Sequence, residues 1–325
     1  MSSKKRQNVD VWSCKRAVNI GGEALIEGVM MRGPDDIAIA VRKPDGQIIV
    51  DKKPLKTLAK RNKIFKAPII RGAVGIFESM VIGIKALMYS ADFVDLEEGA
   101  DDKPSKFDAM LERIFGEKLK DVLMYFSLVL ALIAGIGLFM LLPNYLAWLM
   151  HFDNKGHGRI YYNLFEGVVR IIIFLGYLIL VSRMKDIQRV FEYHGAEHKT
   201  IHCYENDEEL TVENVKKYST KHPRCGTAFL FVVMIISIFI FSLVGIGSLL
   251  YNFLTRIILI PLVAGISYEI IKFSGRSKSR IVRMFCAPGL ALQNLTTREP
   301  DESQIEVAIE SLKNVMVENK EAEKW

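Results

Sequence analysis

Cysteine is scarce in this chain of 325 residues, and the four present, Cys14, Cys203, Cys225 and Cys286, form no closely spaced pair. This scarcity excludes a disulfide framework and an all-cysteine zinc module. The glycine-rich run at 21–28 has neither the dinucleotide-binding spacing nor a Gly-Lys-Ser/Thr ending, so it is not a phosphate loop. Aromatic and basic residues do not interleave in a nucleic-acid-binding motif, and we expect no direct sequence-specific binding of nucleic acid.

Long apolar runs, in contrast, are abundant. Half of the residues are apolar although a quarter are charged, and the apolar ones concentrate in runs near the ~20 residues that a helix needs to cross a bilayer. The first six residues adjoin no apolar core, so we expect no signal peptide. The predicted fold is an α-helical polytopic membrane protein with about four transmembrane helices, at 122–142, 164–181, 228–250 and 257–273.

The lysine and arginine residues predict the orientation of these helices. They are frequent at 183–224 and at 272–283, and sparse in the short connections 144–162 and 251–256. Basic segments remain on the cytoplasmic side of a membrane. We therefore predict a multi-pass membrane protein with both termini in the cytoplasm. The net charge of +6 then suits anionic lipid headgroups.

Between the apolar runs, the composition divides the chain into six segments. The predicted segments are a basic cytoplasmic β unit (1–66), amphipathic interfacial or re-entrant helices (67–120), a first transmembrane hairpin (121–182), a cytoplasmic His-rich segment (183–226), a second transmembrane hairpin (227–273) and a cytoplasmic segment with a terminal helix (274–325).

Local patterns refine some of these segments. Alternation at 36–42, a turn at 44–46 and a returning strand at 47–51 predict a small β-hairpin. The run 68–88 is long enough to span, but charges every seven residues favour an amphipathic helix on the cytoplasmic leaflet. An acidic linker is expected at 92–102, followed by an interfacial helix at 105–119.

Other patterns concern the ends of the helices. The first span is expected to end at Pro143, and Glu166 and Arg170 in the second span are expected to neutralise each other near the outer interface. A break is predicted at 286–290 and a loop at 292–301. A terminal helix at 302–319 has an apolar face that requires a partner.

The strongest chemical signal is a row of histidines in the cytoplasmic His-rich segment. His194, His198 and His202 recur every four residues and would share one helix face. Residues 194–198 also fit the inverted pattern H-x-x-E-H, in which two imidazoles bind zinc and the glutamate, here Glu197, acts as general base. Gly195 opposes this interpretation, because glycine weakens a helix by about 1 kcal/mol relative to alanine.

Further ligands of a divalent metal, zinc above all, are expected near the membrane. His222 and Cys225 lie just before the third span. They are therefore expected at the same depth relative to the membrane as the start of the histidine helix, which follows the second span. Glu269, near the inner end of the fourth span, has two interpretations: an ion pair with Lys272, or a ligand directed at the histidines. The candidate metal ligands are thus His194, His198, His202, His222, Cys225 and Glu269, with Glu197 as the candidate catalytic residue.

Five motifs together resemble the YqhQ-like family of uncharacterised bacterial integral membrane proteins. The motifs are GGEALIEGVMMRG at 21–33, EYHGAEHKT at 192–200, HPRCGT at 222–227, AGISYE at 264–269 and LQNLTTREP at 292–300. The resemblance covers nearly the whole chain. It implies a domain of unknown function whose members are described as predicted metal-dependent enzymes.

Two functions are compatible with these patterns. The first is a metal-dependent hydrolase with a cytoplasm-facing His/Glu metal site that acts on a peptide or a lipid headgroup. The alternative is a non-enzymatic factor of membrane biogenesis, associated with a ribosome or a secretion channel (translocon), in which the cluster is structural. In both, the lipid bilayer is a partner, and the oligomeric state is left open.

Overall fold

The structure is a computed structural model that describes residues 11–12, 14–58, 63–93, 119–152, 157–277 and 279–317. It is mostly helical, with one four-stranded antiparallel sheet near the amino terminus. The chain divides into two compact units. The first comprises residues 1–94, 176–240 and 259–325, and the second comprises residues 95–175 and 241–258.

The sheet consists of β1 (Gly21–Leu25), β2 (Gly28–Arg32), β3 (Asp36–Arg42) and β4 (Ile48–Pro54), paired in chain order. The predicted hairpin is confirmed as β3 and β4. A second hairpin precedes it, because the glycine-rich motif at 21–33 forms two strands rather than a series of turns. Its connection is a two-residue turn in which Glu27 has a positive φ of 51°.

Eight helices complete the described structure, apart from short helical turns at Lys63–Lys66 and Val212–Val215. They are α1 (Ile70–Ala91), α2 (Leu119–Ile136, continued by a π-helical turn at Gly137–Leu141 and by Leu142–Leu149), α3 (Gly158–Val181), α4 (Lys185–Glu205), α5 (Gly226–Ser242), α6 (Leu249–Arg276), α7 (Arg280–Thr296) and α8 (Glu302–Lys313).

Four of these helices are long and apolar enough to cross a membrane: α1, α2, α3 and α6. The predicted number is therefore matched, but its members differ. The run at 68–88 qualifies as α1, whereas the predicted span 228–250 forms the shorter helix α5 of 17 residues.

Two predicted helix ends are wrong. The first apolar helix continues past Pro143, because the π-helical turn at Gly137–Leu141 directly precedes the proline and accommodates it. The loop expected at 251–256 is helical, and the chain instead leaves the helix at 243–248. Gly245 and Gly247 weaken the helix there, and the hydroxyl of Ser248 accepts a hydrogen bond from the N–H of Tyr251 at the start of α6.

The break predicted at 286–290 is also wrong, as is the loop at 292–296. Pro288 lies inside the continuous helix α7. The adjacent Gly289 allows α7 to approach α5 closely, since a Cβ atom there would lie 3.0 Å from Ala228. Helix α8 ends at Lys313, and its start is fixed by a capping box between Asp301 and Gln304.

The core of the first unit lies on both faces of the sheet. On one face, Leu25, Met30, Ile39 and Val41 pack with Ala86 of α1. The other face packs against α4 and α8, through side chains that include Val29, Met31, Ala38, Ala40, Tyr193, Ile201, Ile305, Ala308, Leu312 and Val315. The apolar face of the terminal helix thus has its partner within the chain.

The second unit contains a buried polar cluster. Glu166 of α3 is 1% exposed and forms an ion pair with Arg170, as predicted. The cluster has another cation, because Arg256 of α6 also binds Glu166, with 2.8 Å between Nε and Oε1. Asn163 and the carbonyl of Asn252 accept further hydrogen bonds from Arg256.

Two predictions concern residues that the structure does not describe. The interfacial helix at 105–119 lies outside the described residues except for its last position. The acidic linker at 92–102 lies outside them from residue 94 onward.

Candidate metal centre

Helix α4 is polar in sequence and nevertheless buried from Tyr193 to Glu205, apart from the half-buried His194. Buried polar groups destabilise a fold unless they are paired, so this burial needs an explanation. Gly195 is part of it. A Cβ atom at this position would lie 2.0 Å from the carbonyl oxygen of Arg298, so glycine permits a close approach that a larger residue would block.

His194 and His198 meet Cys225 on one side of this helix. The Nε2 atom of His194 lies 3.2 Å from Sγ of Cys225. One ligand atom from each of the three residues lies within 4.8 Å of the others. Ligand atoms around a tetrahedral zinc ion are roughly 3.4–3.6 Å apart, given bonds of about 2.0 Å to nitrogen and 2.3 Å to sulfur. The arrangement is therefore compatible with a single small cation.

The backbone orients both imidazoles. Nδ1 of His194 lies 2.8 Å from the carbonyl oxygen of Thr296, and Nδ1 of His198 lies 2.5 Å from that of Thr220. Each Nδ1–H therefore donates to a carbonyl and directs Nε2 away from it, which is the second-shell arrangement of metal-binding histidines. The Nε2 atom of His198 is buried, and His198 also interacts with the sulfur of Cys225, so both imidazoles converge on one thiol.

The segment before α5 positions the cysteine. Gln293 of α7 holds this segment, because its amide accepts from the N–H of His222 and donates to the His222 carbonyl, both at 2.8 Å. Cys225 then lies at the amino end of α5, where the N–H of Thr227 points at Sγ from 3.4 Å. A helix amino terminus stabilises a thiolate.

Glu197 faces the same cavity and is 4% exposed. Its carboxylate accepts a hydrogen bond from the backbone N–H of Gly22. A Cβ atom on Gly22 would lie 2.9 Å from Cγ of Glu197, so glycine leaves room for the carboxylate. Within the described structure, Oε2 of Glu197 is buried and has no hydrogen-bond partner. One oxygen is thus anchored while the other can accept a proton.

The electrostatics of the centre favour a thiolate. Burial alone would raise the pKa of Cys225, but His194 and His198 hold it well below its usual range. Burial would lower the pKa of His194, yet the Cys225 sulfur and then Glu197 raise it to about 9. Burial raises the pKa of Glu197 above its ordinary value. Without a metal, the sulfur and the imidazole therefore neutralise each other.

A second cluster contains His202, Glu205 and His222, whose ligand atoms also lie within 4.8 Å of one another. Here the polar atoms are paired within the chain. Nε2 of His202 donates to the carbonyl of Lys221 at 2.8 Å, and Nε2 of His222 donates to Glu205 at 3.3 Å. Glu205 also accepts hydrogen bonds from Arg224 and from the N–H of Val18. This cluster is satisfied without a cation.

Both imidazoles of the second cluster remain neutral. Burial and the proximity of His198 lower the pKa of His222 to about 3. Burial and His222 lower the pKa of His202 well below its ordinary value. The cluster therefore consists of neutral imidazoles beside the ion pair of Arg224 and Glu205, an arrangement suited to holding α4 against the segment before α5.

The structure separates the six predicted ligands into three places. His194, His198 and Cys225 come together, His202 and His222 join the second cluster, and Glu269 lies at neither. Glu269 instead forms a bidentate ion pair with Arg71 of α1, at 2.7 and 2.5 Å. Of the two interpretations of Glu269, the ion pair is observed, with a different cation from the expected Lys272.

Several residues of the site were missed by the sequence interpretation, namely Glu205, Gln293 and the carbonyls of Thr220 and Thr296. Gln293 and Thr296 belong to the motif at 292–300, so a signal was present. Carbonyl contacts, however, leave no mark on residue type. Glu23, beside them, is half-buried, and burial together with Glu197 raises its pKa to about 7.

Two cavities adjoin the centre within the first unit. One, of about 490 Å³, is lined by residues that include His194, Glu197, His198 and Cys225. The other, of about 1150 Å³, extends between the sheet, α1 and the start of α5. Both include Gly21–Ala24 and Arg224–Gly226 in their walls.

Comparison with known proteins places the chain in a family. Residues 67–318 match the family described as "Protein of unknown function (DUF1385)". The chain belongs to this family. It is also 35% identical over 302 residues to the "Uncharacterized protein YqhQ" of Bacillus subtilis (strain 168), and the match covers 91% of this chain and 92% of that protein. The predicted resemblance is confirmed. No solved structure matches the chain.

Proposed function

We propose that this DUF1385 protein is a metal-dependent hydrolase that acts on a peptide or a lipid headgroup. One observation carries the proposal: two imidazoles, each fixed by a backbone carbonyl at Nδ1, direct Nε2 at the same thiol. Glu197 faces the same cavity, and its Oε2 atom has no hydrogen-bond partner among the described residues.

The residues fit zinc. His194, His198 and Cys225 would hold the ion, since imidazole and thiolate are the ligands that zinc prefers. Three protein ligands are the usual number at a catalytic zinc site, whereas structural sites have four. A bound divalent cation would lower the pKa of a water molecule and polarise the bond to be hydrolysed.

Glu197 would act as general base. The hydrogen bond from Gly22 fixes the carboxylate, so that Oε2 can take a proton from the attacking water and return it to the leaving group. Burial raises the pKa of Glu197 and so favours its protonated form, which suits the second transfer.

The proposed location is the cytoplasmic surface of the bacterial inner membrane. Cys225 directly precedes α5, and the basic residues at 183–224 and 272–283 favour a cytoplasmic position for the site. Helix α1 would lie along this surface, which is supported by its packing on the sheet through Ala86 and by the pairing of Arg71 with Glu269. Both termini would be cytoplasmic.

The alternative function, a partner-binding factor of membrane biogenesis, loses one of its supports. It relied on an apolar face of the terminal helix that was free to bind a ribosome or a secretion channel. Ile305, Leu312 and Val315 are instead buried against the sheet and α4.

Metal analysis of the purified protein tests the proposal. We expect about one zinc ion per chain, lost in His198→Gln and retained in His202→Gln. These two variants form a matched pair, since both remove a buried imidazole from the same helix. Glu197→Gln should keep the metal and abolish hydrolysis. Equal metal content in both histidine variants, or full activity of Glu197→Gln, would contradict the proposal.

A further inference from the structure

Strand β1 is an edge strand of the sheet, since it pairs only with β2 among the described strands. In an antiparallel pair of strands, every second residue pair exchanges main-chain hydrogen bonds, beginning with the pair that flanks a two-residue turn. Here the hydrogen-bonded pairs are Leu25 with Gly28, Glu23 with Met30 and Gly21 with Arg32. The main-chain groups of Gly22 and Ala24 must therefore point away from the sheet.

The contact with Glu197 supports this direction. Gly22 donates its N–H to the Glu197 carboxylate and not to β2. No hydrogen bond joins the N–H or C=O of Ala24 to another main-chain group beyond β1 within the described residues. Unpaired main-chain groups along a strand edge are a template for another strand.

This edge opens into both cavities beside the candidate metal centre. The smaller cavity has Gly21–Ala24 on one side and the side chains of His194, His198 and Cys225 on the other. The larger cavity continues along β1 to Leu25. A Cβ atom at Gly21 would meet nothing within 4 Å, so the entrance to the edge is open.

We propose that an extended peptide binds in these cavities as a fifth strand along β1, with one peptide bond beside Glu197 and Cys225. This inference rests on the proposed hydrolase and names its substrate. Main-chain groups of the peptide would pair with Ala24. Alternate side chains would enter the apolar part of the larger cavity, which includes Val74, Ile84, Leu87, Phe229 and Leu230.

Polarity distinguishes a peptide from a lipid in this cavity. An acyl chain would fill the apolar part but offer no hydrogen-bond partner to the N–H and C=O of Ala24. A peptide strand satisfies both. In the hydrolysis, one water adds its hydroxyl to the acyl carbon, the C–N bond breaks, and the remaining proton passes through Glu197 to the amine nitrogen.

Two substitutions at one position test the inference. Ala24→Pro removes the outward N–H without removing a ladder hydrogen bond to β2, whereas Ala24→Ser keeps it. The full-length, zinc-loaded protein would be given a randomised library of ten-residue peptides, with products identified by mass spectrometry. We expect Ala24→Pro to cleave about tenfold more slowly than Ala24→Ser, with equal zinc content and melting temperature in the two variants.

Hydrogen exchange provides a test that does not depend on the proline variant folding. In Glu197→Gln protein, a saturating amount of the same peptide library should slow hydrogen exchange of the Ala24 amide. Exchange of the Glu23 amide should not change, because this amide is already paired with β2. Unchanged exchange at Ala24, or full activity of a folded Ala24→Pro, would overturn the inference.

A lipid arm separates this inference from the proposed function. If zinc-loaded protein hydrolyses the headgroup ester of phosphatidylglycerol vesicles and no library peptide, the peptide inference fails while the hydrolase stands. If His198→Gln retains full zinc content, or Glu197→Gln retains full activity, the hydrolase itself fails.

Discussion

His194 and Cys225 are 31 positions apart in sequence, yet Nε2 of the first lies 3.2 Å from Sγ of the second. The contact joins the interior of α4 to the residue directly before α5. Gln293 and the carbonyl of Thr296, both on α7, hold the two sides in place. A hydrogen-bonded pair needs only one imidazole, whereas here His194 and His198 both meet the sulfur of Cys225, and this convergence favours a cation as the purpose of the arrangement.

Replacing the sulfur should weaken metal binding. We expect Cys225→Ser to lower zinc affinity by more than about 100-fold, because losing a ligand costs more than losing a group that merely orients one. Titration against a chelator of known affinity measures the effect. Cys286→Ser is the control, since Cys286 contacts Ser274 and not the centre. Equal zinc affinities in the two variants would exclude Cys225 as a ligand.

The second cluster should determine stability and not metal content. Glu205→Gln leaves the buried guanidinium of Arg224 without the carboxylate that neutralises it. Breaking a buried ion pair costs about 3–5 kcal/mol. We expect a clearly lower melting temperature in detergent with the zinc content of the folded fraction unchanged. Loss of zinc from folded Glu205→Gln would instead show that this cluster binds the metal.

The helical spacing of the histidines was predictable, but their division into two clusters was not. A four-residue repeat places His194, His198 and His202 on one face. The position of the segment before α5 decides which histidines meet Cys225. Gln293 holds this segment through a hydrogen bond with His222, which is 71 positions away in sequence. Glu205 is set apart from the other glutamates of the stretch by its contacts with Arg224, His222 and Val18, which lie far from it in sequence or on another segment.

The fold shows the same limit. The hairpin of β3 and β4 was predicted because its strands alternate and its turn contains Gly46, whose φ is +84°. Strands β1 and β2 were missed because the four glycines at 21–33 favour turns, whereas packing on both faces of the sheet holds the same residues in strands. The prediction ended the helix at Pro288, but α7 continues through this residue. The neighbouring Gly289 packs closely against α5, a contact that the sequence does not reveal.

Glu23 should make the metal-free protein less stable as the pH rises. Burial and the nearby Glu197 raise its pKa from 4.5 to about 7, and Arg32 opposes this only in part. A raised pKa in the folded state means that the contribution to stability is complete below pH 4.5 and is lost as the pH rises through 7. The loss is at most about 2 to 3 kcal/mol.

Thermal unfolding from pH 5 to pH 8 measures this effect. Glu23→Gln removes the titrating group, so its melting temperature should fall less over this interval than that of the wild type. Glu213→Gln, an exposed substitution, is the control. Parallel curves for wild type and Glu23→Gln would show that Glu23 has an ordinary pKa.

Glu166 should be the most sensitive charged residue of the second unit. It lies between Arg170 and Arg256, so the buried cluster holds one carboxylate and two guanidinium groups. Glu166→Gln leaves both cations without a counter-charge, whereas Arg170→Met leaves a balanced pair of Glu166 and Arg256. Removing the shared partner should therefore cost about 3–5 kcal/mol, and removing one cation clearly less. Melting temperatures of both variants in the same detergent measure the difference. If Arg170→Met is the less stable of the two, neutralisation by Glu166 is not what holds α3 and α6 together. The hydrogen bond from Nε of Arg170 to the carbonyl of Phe139, at 3.0 Å, would then be the stronger stabilising contact.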